Sequence, residues 1–160
     1  MSDVELLADQ FAVLVRGLRE LHGAVVVRCE PPLEVAAAVL LGRVEQLAPV
    51  RLTDVACSMG LDVSTVSRQV SALVSRGWVV RDPDPQDLRA HVLSLTEDGR
   101  TTVASLRATR TEVLTRLLPD WTAEQLRSLT TALARLNHDL TTGSDRLELV
   151  GTTRHGRPDA

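Results

Sequence analysis

At Gly77 the apolar residues of the chain change period, and few folds accommodate both sides of that glycine. Before it they recur at helical spacing. A short helix starts near Thr53 and stops at Gly60, and a second follows after only Gly60 and Leu61, with Val66, Val70 and Leu73 as its inner stripe. Beyond Gly77 the chain is β-rich. TrpValValArg at 78–81 and HisValLeuSerLeu at 91–95 bracket AspProAspProGlnAspLeuArgAla, whose two prolines and three aspartates predict a long hairpin loop. Two short helices across a tight glycine turn, followed by a hairpin, predict a helix-turn-helix with a two-stranded β-wing.

The flanks are helical. Val4, Leu7, Phe11, Leu14, Leu18 and Leu21 alternate steps of three and four, the pattern of a coiled-coil-like seam on one long helix. Pro32 suits the first turn of a helix running to about Leu47, with Val35, Ala36, Val39, Leu40, Val44 and Leu47 facing inward and Pro49 ending it. After the hairpin, ThrGluAspGly at 96–99 opens a helix with Val103, Leu106, Val113, Leu114, Leu117 and Leu118 as apolar contacts, closed by Pro119. Thr122 caps the last helix with Gln125 reaching back, and Trp121 is placed to staple onto Leu126. Leu126, Leu129, Leu133, Leu136 and Leu140 form a second seam, and from Gly143 the sequence turns polar and is expected to fray.

The chain is therefore expected to be mainly α. Residues 1–30 form an N-terminal dimerisation helix and loop, 31–99 the winged helix-turn-helix domain, 100–142 the C-terminal dimerisation helices and 143–160 a flexible tail. The two seams need covering. They could pack on each other in a monomeric bundle, or interdigitate with a second copy. The second arrangement is expected: a homodimer through Leu7, Phe11, Leu14 and Leu18 with Leu129, Leu133, Leu136 and Leu140, which places two heads against one duplex.

Composition excludes other classes. With 160 residues and 44% hydrophobic content, one core is the expectation, and two unrelated domains would be cramped. No run of roughly 18 apolar residues predicts a membrane span, and the acidic start MetSerAspValGlu is unlike a signal peptide, so a cytoplasmic chain is expected. Cys29 and Cys57 lie far apart without a ligand cluster, which implies neither a disulfide scaffold nor a zinc site. Asp82, Asp84 and Asp87 lack the glycine and terminal glutamate of a calcium loop, and His22, His91, His138 and His155 fall in separate elements without a catalytic motif. No metal, cofactor or enzymatic activity is expected.

The net charge of −3 argues against a surface that is basic overall, so any contact with nucleic acid must be local. All 18 cations are arginines, whose planar fork matches phosphate and guanine. On the second short helix the stripe of Val66, Val70 and Leu73 puts Ser64, Arg68, Ser71 and Ser75 on the opposite side, flanked by Thr65 and Ser67. No acid occurs between Val63 and Arg76. Short hydroxyl side chains let a helix approach base edges and phosphates, and one arginine can take guanine O6 and N7; an ordinary solvated face is the alternative. Asp62 is placed as N-cap for the open amides of the first turn.

These stretches together carry a resemblance. Ala56 and Gly60 at the turn, LeuAspValSerThrValSerArg entering the second helix, GlyTrpValValArg leaving it, and AspLeuArgAla followed by LeuThrGluAspGly resemble, in that order, the MarR family of winged-helix regulators. Flanking helices of fitting length and pattern extend the similarity to nearly the whole chain. The resemblance implies a homodimer that binds double-stranded operator DNA, with the helix in the major groove and the wing at the minor groove. It implies a transcriptional regulator, more often a repressor, released by a small and often aromatic effector; a winged-helix interaction module without specific DNA binding is the alternative.

By position, Ser64, Thr65, Ser67 and Arg68 match the groove-facing front, Arg89 the wing arginine and Asp87 the acid that orients it. Arg51 and Arg81 are candidate phosphate contacts, with simple solvation as their alternative. The pattern departs at Leu88, where many relatives have a second arginine; this leucine is free to pack the wing against its own base. Some members respond to thiol oxidation; this chain has two thiols, Cys29 in the loop between the first two helices and Cys57 in a short helix beside apolar residues.

Overall fold

The computed structural model describes residues 2–29 and 33–151. Six helices and a small sheet follow one another as α1 (Asp3–Val27), α2 (Val35–Leu47), β1 (Val50–Arg51), α3 (Leu52–Met59), α4 (Val63–Ser75), β2 (Val79–Asp84), β3 (Asp87–Leu95), α5 (Glu97–Leu117) and α6 (Ala123–Gly151). They form two compact units, residues 1–117 and 118–160. Among the described residues no helix is long and apolar enough to cross a membrane.

The core of the first unit is the inner face of the helix-turn-helix with the helices around it. Leu40, Leu41, Val44, Val55, Val66, Val70 and Leu73 are each less than 2% exposed. Fully burying a side chain of this size is worth about 1.5–3 kcal/mol. The expected stripe of α4 is therefore the observed one. Helix α2 is turned relative to expectation: Leu40, Leu41 and Val44 are buried, while Val35, Ala36, Val39 and Leu47 are exposed. It begins at Val35, after Glu34 as N-cap, and Pro32, expected in its first turn, lies outside the described residues.

Helix α5 sends Val103, Leu106 and Val113 into this same core, so the first unit runs past residue 99 to Leu117; Leu114 and Leu117, expected inward, are exposed. Helix α1 starts with a capping box that sequence reading passed over. The Glu5 amide donates to the Ser2 hydroxyl (3.3 Å) and the Ser2 amide to the Glu5 carboxylate (2.6 Å). Only Val25 and Val26 of α1 are buried; Leu7, Leu14 and Leu18 of its seam are exposed and Phe11 half-buried.

The hairpin corrects the expected loop. Strands β2 and β3 continue through the proline-rich stretch and meet at Pro85 and Gln86, so residues 82–84 and 87–90 are strand. The expected two-stranded wing forms from β2 and β3, and a third strand joins its sheet. β1, only two residues long, pairs antiparallel with β3 and makes the order β1-β3-β2. Pro83 is accommodated because β2 is an edge strand, where a missing amide costs least.

A tight junction fixes the wing to the helices. Gly77, at φ +72°, turns the chain out of α4. The Thr96 hydroxyl donates to the Gly77 carbonyl (2.6 Å) and accepts from the Gly99 amide (3.0 Å), while the Thr96 amide donates to the Trp78 carbonyl (3.1 Å). Trp78 is buried. The first turn of α5 lies so close to Trp78 that a Cβ on Gly99 would overlap the Trp78 carbonyl oxygen.

At the far end of the sheet Arg51 Nε donates to Asp84 Oδ2 (2.8 Å), and the Gln86 amide donates to Asp84 Oδ1 (2.8 Å). The Gln86 amide, with Arg51 next, holds the Asp84 carboxyl below the usual aspartate range.

In the second unit, the Thr122 and Gln125 box forms as expected, with the Gln125 amide on the Thr122 hydroxyl at 3.2 Å and the Thr122 amide on the Gln125 side chain at 2.8 Å. Trp121 and Leu126, expected to staple that entry, are both exposed. Leu129, Leu133 and Leu140 are exposed as well, and Leu136 is half-buried. Gly143 does not end the helix: α6 continues to Gly151, because one glycine costs a helix only about 1 kcal/mol. The remainder of the expected tail, 152–160, lies outside the described residues.

Two measurements follow from this fold. Gly99→Ala is expected to cost about 2 kcal/mol or more, since neither backbone can move freely, and to lower Tm by roughly 5 °C; an unchanged melting curve would show that the junction yields to a methyl group without cost. Asp84→Asn should be less stable than wild type at pH 7. A lowered carboxylate pKa stabilises the fold above the ordinary value of about 3.9 and loses that effect as pH falls through the folded value. The gap between the two proteins in urea titrations should therefore close toward pH 3; an equal gap at both pH values would assign the destabilisation to packing.

Candidate nucleic-acid interface

Helix α4 presents its polar front through the turn that precedes it. Gly60 ends α3 in the left-handed region at φ +62°, where its amide returns to the Cys57 carbonyl (3.1 Å) and the Leu61 amide to that of Ala56 (3.1 Å). Asp62 occupies the N-cap with extended backbone, and its carbonyl accepts from the amides of Thr65 and Val66. Its carboxylate makes no cap hydrogen bond, so the expected side-chain cap is absent.

The hydroxyls of α4 then divide into two sets. Ser71 donates to the Ser67 carbonyl and Ser75 to the Ser71 carbonyl, each at 2.9 Å, which ties the back half of the face to its own helix. Arg81 on β2 donates to the Ser71 hydroxyl (3.2 Å), joining that set to the sheet. Arg76 lies over the Trp78 ring at 5.0 Å. The side chains of Ser64, Thr65, Ser67 and Arg68 make no hydrogen bond among the described residues; Ser64 and Arg68 are exposed, Thr65 and Ser67 half-buried. The uncommitted donors are thus confined to the first two turns.

On the wing the expected residues stand differently. Arg51 is joined to Asp84, a partner that sequence spacing did not suggest, and so braces β1 against the hairpin turn. Asp87 accepts from the Arg89 amide (3.1 Å) and so shapes the backbone at Arg89 without pairing with its guanidinium. Arg89 is exposed. Leu88, which was free to pack against the wing base, is instead 80% exposed.

A cavity of about 160 Å³ opens between α1, α2 and α5, with Val25, Val39 and Leu106 as apolar wall and His22, Arg43 and Arg110 as polar wall. His22 Nδ1 donates to the Leu18 carbonyl (3.0 Å). Arg43 spans two elements, reaching Gln46 of its own helix and the Ser58 carbonyl of α3, both at 3.3 Å. Sequence reading missed these three side chains; only Arg43, the one cation of the largely apolar α2, offered a signal. Cys29 is buried beside α5, its thiol donating to the Val25 carbonyl (3.3 Å), and Cys57 is exposed on α3.

The comparisons with known proteins agree with this geometry. The family model described as the MarR family matches residues 33–91. An HTH-type transcriptional regulator of Bacillus subtilis, YxaD, itself uncharacterized, is 30% identical over 105 residues, spanning 66% of this chain and 73% of that protein. Among solved structures, a MarR family protein from Bacillus stearothermophilus superposes with a TM-score of 0.77 at 18% identity, covering 88% of this chain and 99% of that one. A MarR protein of Staphylococcus aureus, in complex with salicylate and kanamycin, gives 0.72 at 12% identity, covering 88% and 93%. With the helix pair, the wing and the matched span in agreement, the chain belongs to the MarR family of winged helix-turn-helix transcriptional regulators.

Proposed function

We propose that this chain is a dimeric, sequence-specific DNA-binding regulator, a repressor that a small effector releases from its operator in the cytoplasm. The observation that carries the reading is the uncommitted front of α4: four side chains with hydrogen-bonding capacity, no acid among them, on a helix whose other face is fully anchored. Ser64, Thr65 and Ser67 take phosphates and base edges in the major groove, and Arg68 a guanine or a phosphate. Arg89 contacts the minor groove from the wing, with Asp87 fixing the backbone beneath it. Arg81 lies at the phosphate margin, held by Ser71, and Arg51 serves chiefly as the brace of the wing. Exposed Leu7, Leu14 and Leu18 on α1, and Leu129 and Leu133 on α6, support pairing of two copies, each bringing one reading head.

The cavity between α1, α2 and α5 is the proposed effector site. Two guanidinium groups and an imidazole around an apolar wall fit a small carboxylate with an aromatic or aliphatic body. Salicylate, the ligand named for the Staphylococcus aureus structure, has that chemistry. Because Arg43 also holds the Ser58 carbonyl, an anion that draws it into the cavity loosens α3 at its last turn.

Fluorescence anisotropy with the gene's own upstream DNA tests the reading. Specific binding by two chains per duplex should weaken by on the order of a thousandfold between 50 and 200 mM salt, as about six phosphate contacts require. Arg68→Ala should lose about tenfold or more in affinity at unchanged Tm; no preference for any upstream fragment over random duplex would favour a protein-interaction module instead. Salicylate is expected to weaken DNA binding at least fivefold and to do so much less with Arg110→Ala. Equal effects on both proteins would place the effector elsewhere.

A further inference from the structure

The wing carries one side chain that this interface does not use. Leu88 is 80% exposed, as much as any large apolar residue described. Its exposure comes from the register of the hairpin. Asp84 pairs with Asp87 but Pro83 pairs with His91, so Leu88, Arg89 and Ala90 of β3 stand opposite no residue of β2. A bulge of this kind bends its strand and redirects the side chains it carries. This one is held on both sides: Asp84 binds the turn through the Gln86 amide and is itself gripped by Arg51, and Asp87 accepts from the Arg89 amide. An apolar side chain is thus raised on a braced projection, next to an exposed arginine and flanked by no apolar patch. Its neighbours Gln86, Asp87 and Arg89 are polar and exposed. A protein partner needs a contiguous apolar surface, which a lone leucine does not offer.

We propose that Leu88 is a minor-groove wedge that sets sequence preference through the ease of unstacking a base step. The proposal rests on the DNA-binding reading above. With Arg89 beside it drawn to the phosphates or the groove floor, the leucine enters edge-on against sugars and base edges, where an apolar side chain partly opens one step and bends the duplex. Pyrimidine–purine steps such as TA and CA unstack most readily and AA steps resist, so the wing discriminates by deformability where a cation would read groove width and charge.

The test uses the full-length protein and the upstream duplex that it binds best, remade with TA, CA or AA at the step facing the wing. Wild type should favour TA and CA over AA by roughly fivefold to tenfold, and end-labelled energy transfer should report a bent duplex. Leu88→Ala should lose that preference and the bend, with an unchanged salt slope because no charge is removed. Leu88→Arg should lose the preference while steepening the slope by about 2 for a dimer, one cation per chain. Wild type and Leu88→Ala that bind every duplex alike overturn the wedge and leave DNA binding standing; so does an equal loss by Leu88→Ala on all steps. If wild type prefers no upstream fragment, the DNA-binding reading fails and the wedge with it. Since Leu88 is exposed, the variants should melt as wild type does, and a changed Tm would assign the side chain to the fold.

Discussion

The close approach of α5 to the Trp78 carbonyl governs much of what surrounds it. Gly99 lets the first turn of α5 lie against the start of β2, and Thr96 ties the same turn to the last residue after α4. Helix α4, the wing and α5 thereby share one corner, with buried Trp78 beneath it. A longer connection would leave each element its own orientation. Here the angle between helix and hairpin is set by contacts within a few residues of Gly77, and α5 carries that angle into the core through Val103, Leu106 and Val113.

Much of this was legible in the sequence where periodicity was strong. The stripe of Val66, Val70 and Leu73, the glycine turn and the Thr122 box are local patterns with a single good solution, and the structure has them. Other readings failed for identifiable reasons. The prolines at 83 and 85 signalled a loop, yet an edge strand does not need the amide of Pro83, and pairing continued past it. β1 is too short for propensity to reveal and exists because β3 offers it partners. In α2 two consecutive leucines left the helical phase ambiguous, and packing chose Leu41 over Val39. Asp62 occupies the right backbone position without the hydrogen bond that position usually brings.

The candidate site was legible in part. Ser64, Thr65, Ser67 and Arg68 followed from the helical phase alone, whereas the commitments of Ser71, Ser75, Arg51 and Arg81 depend on where side chains reach. The cavity was invisible because His22, Arg43 and Arg110 come from three helices and meet only in the fold. Arg43 is the side chain through which that cavity and the helix-turn-helix touch. Its two hydrogen bonds, at 3.3 Å each, are long and exposed.

Helix α4 keeps its anchoring residues and its uncommitted residues on separate positions. Val66, Val70 and Leu73 belong wholly to the core, and Ser64, Thr65, Ser67 and Arg68 carry no hydrogen bond that the fold depends on. The two sets therefore face independent selection. On the reading proposed above, exchanging the front four side chains would change the target while the thermodynamic stability of the scaffold stays nearly level. On that reading, divergence in specificity takes a few substitutions on one short helix, each nearly neutral for stability though not for binding.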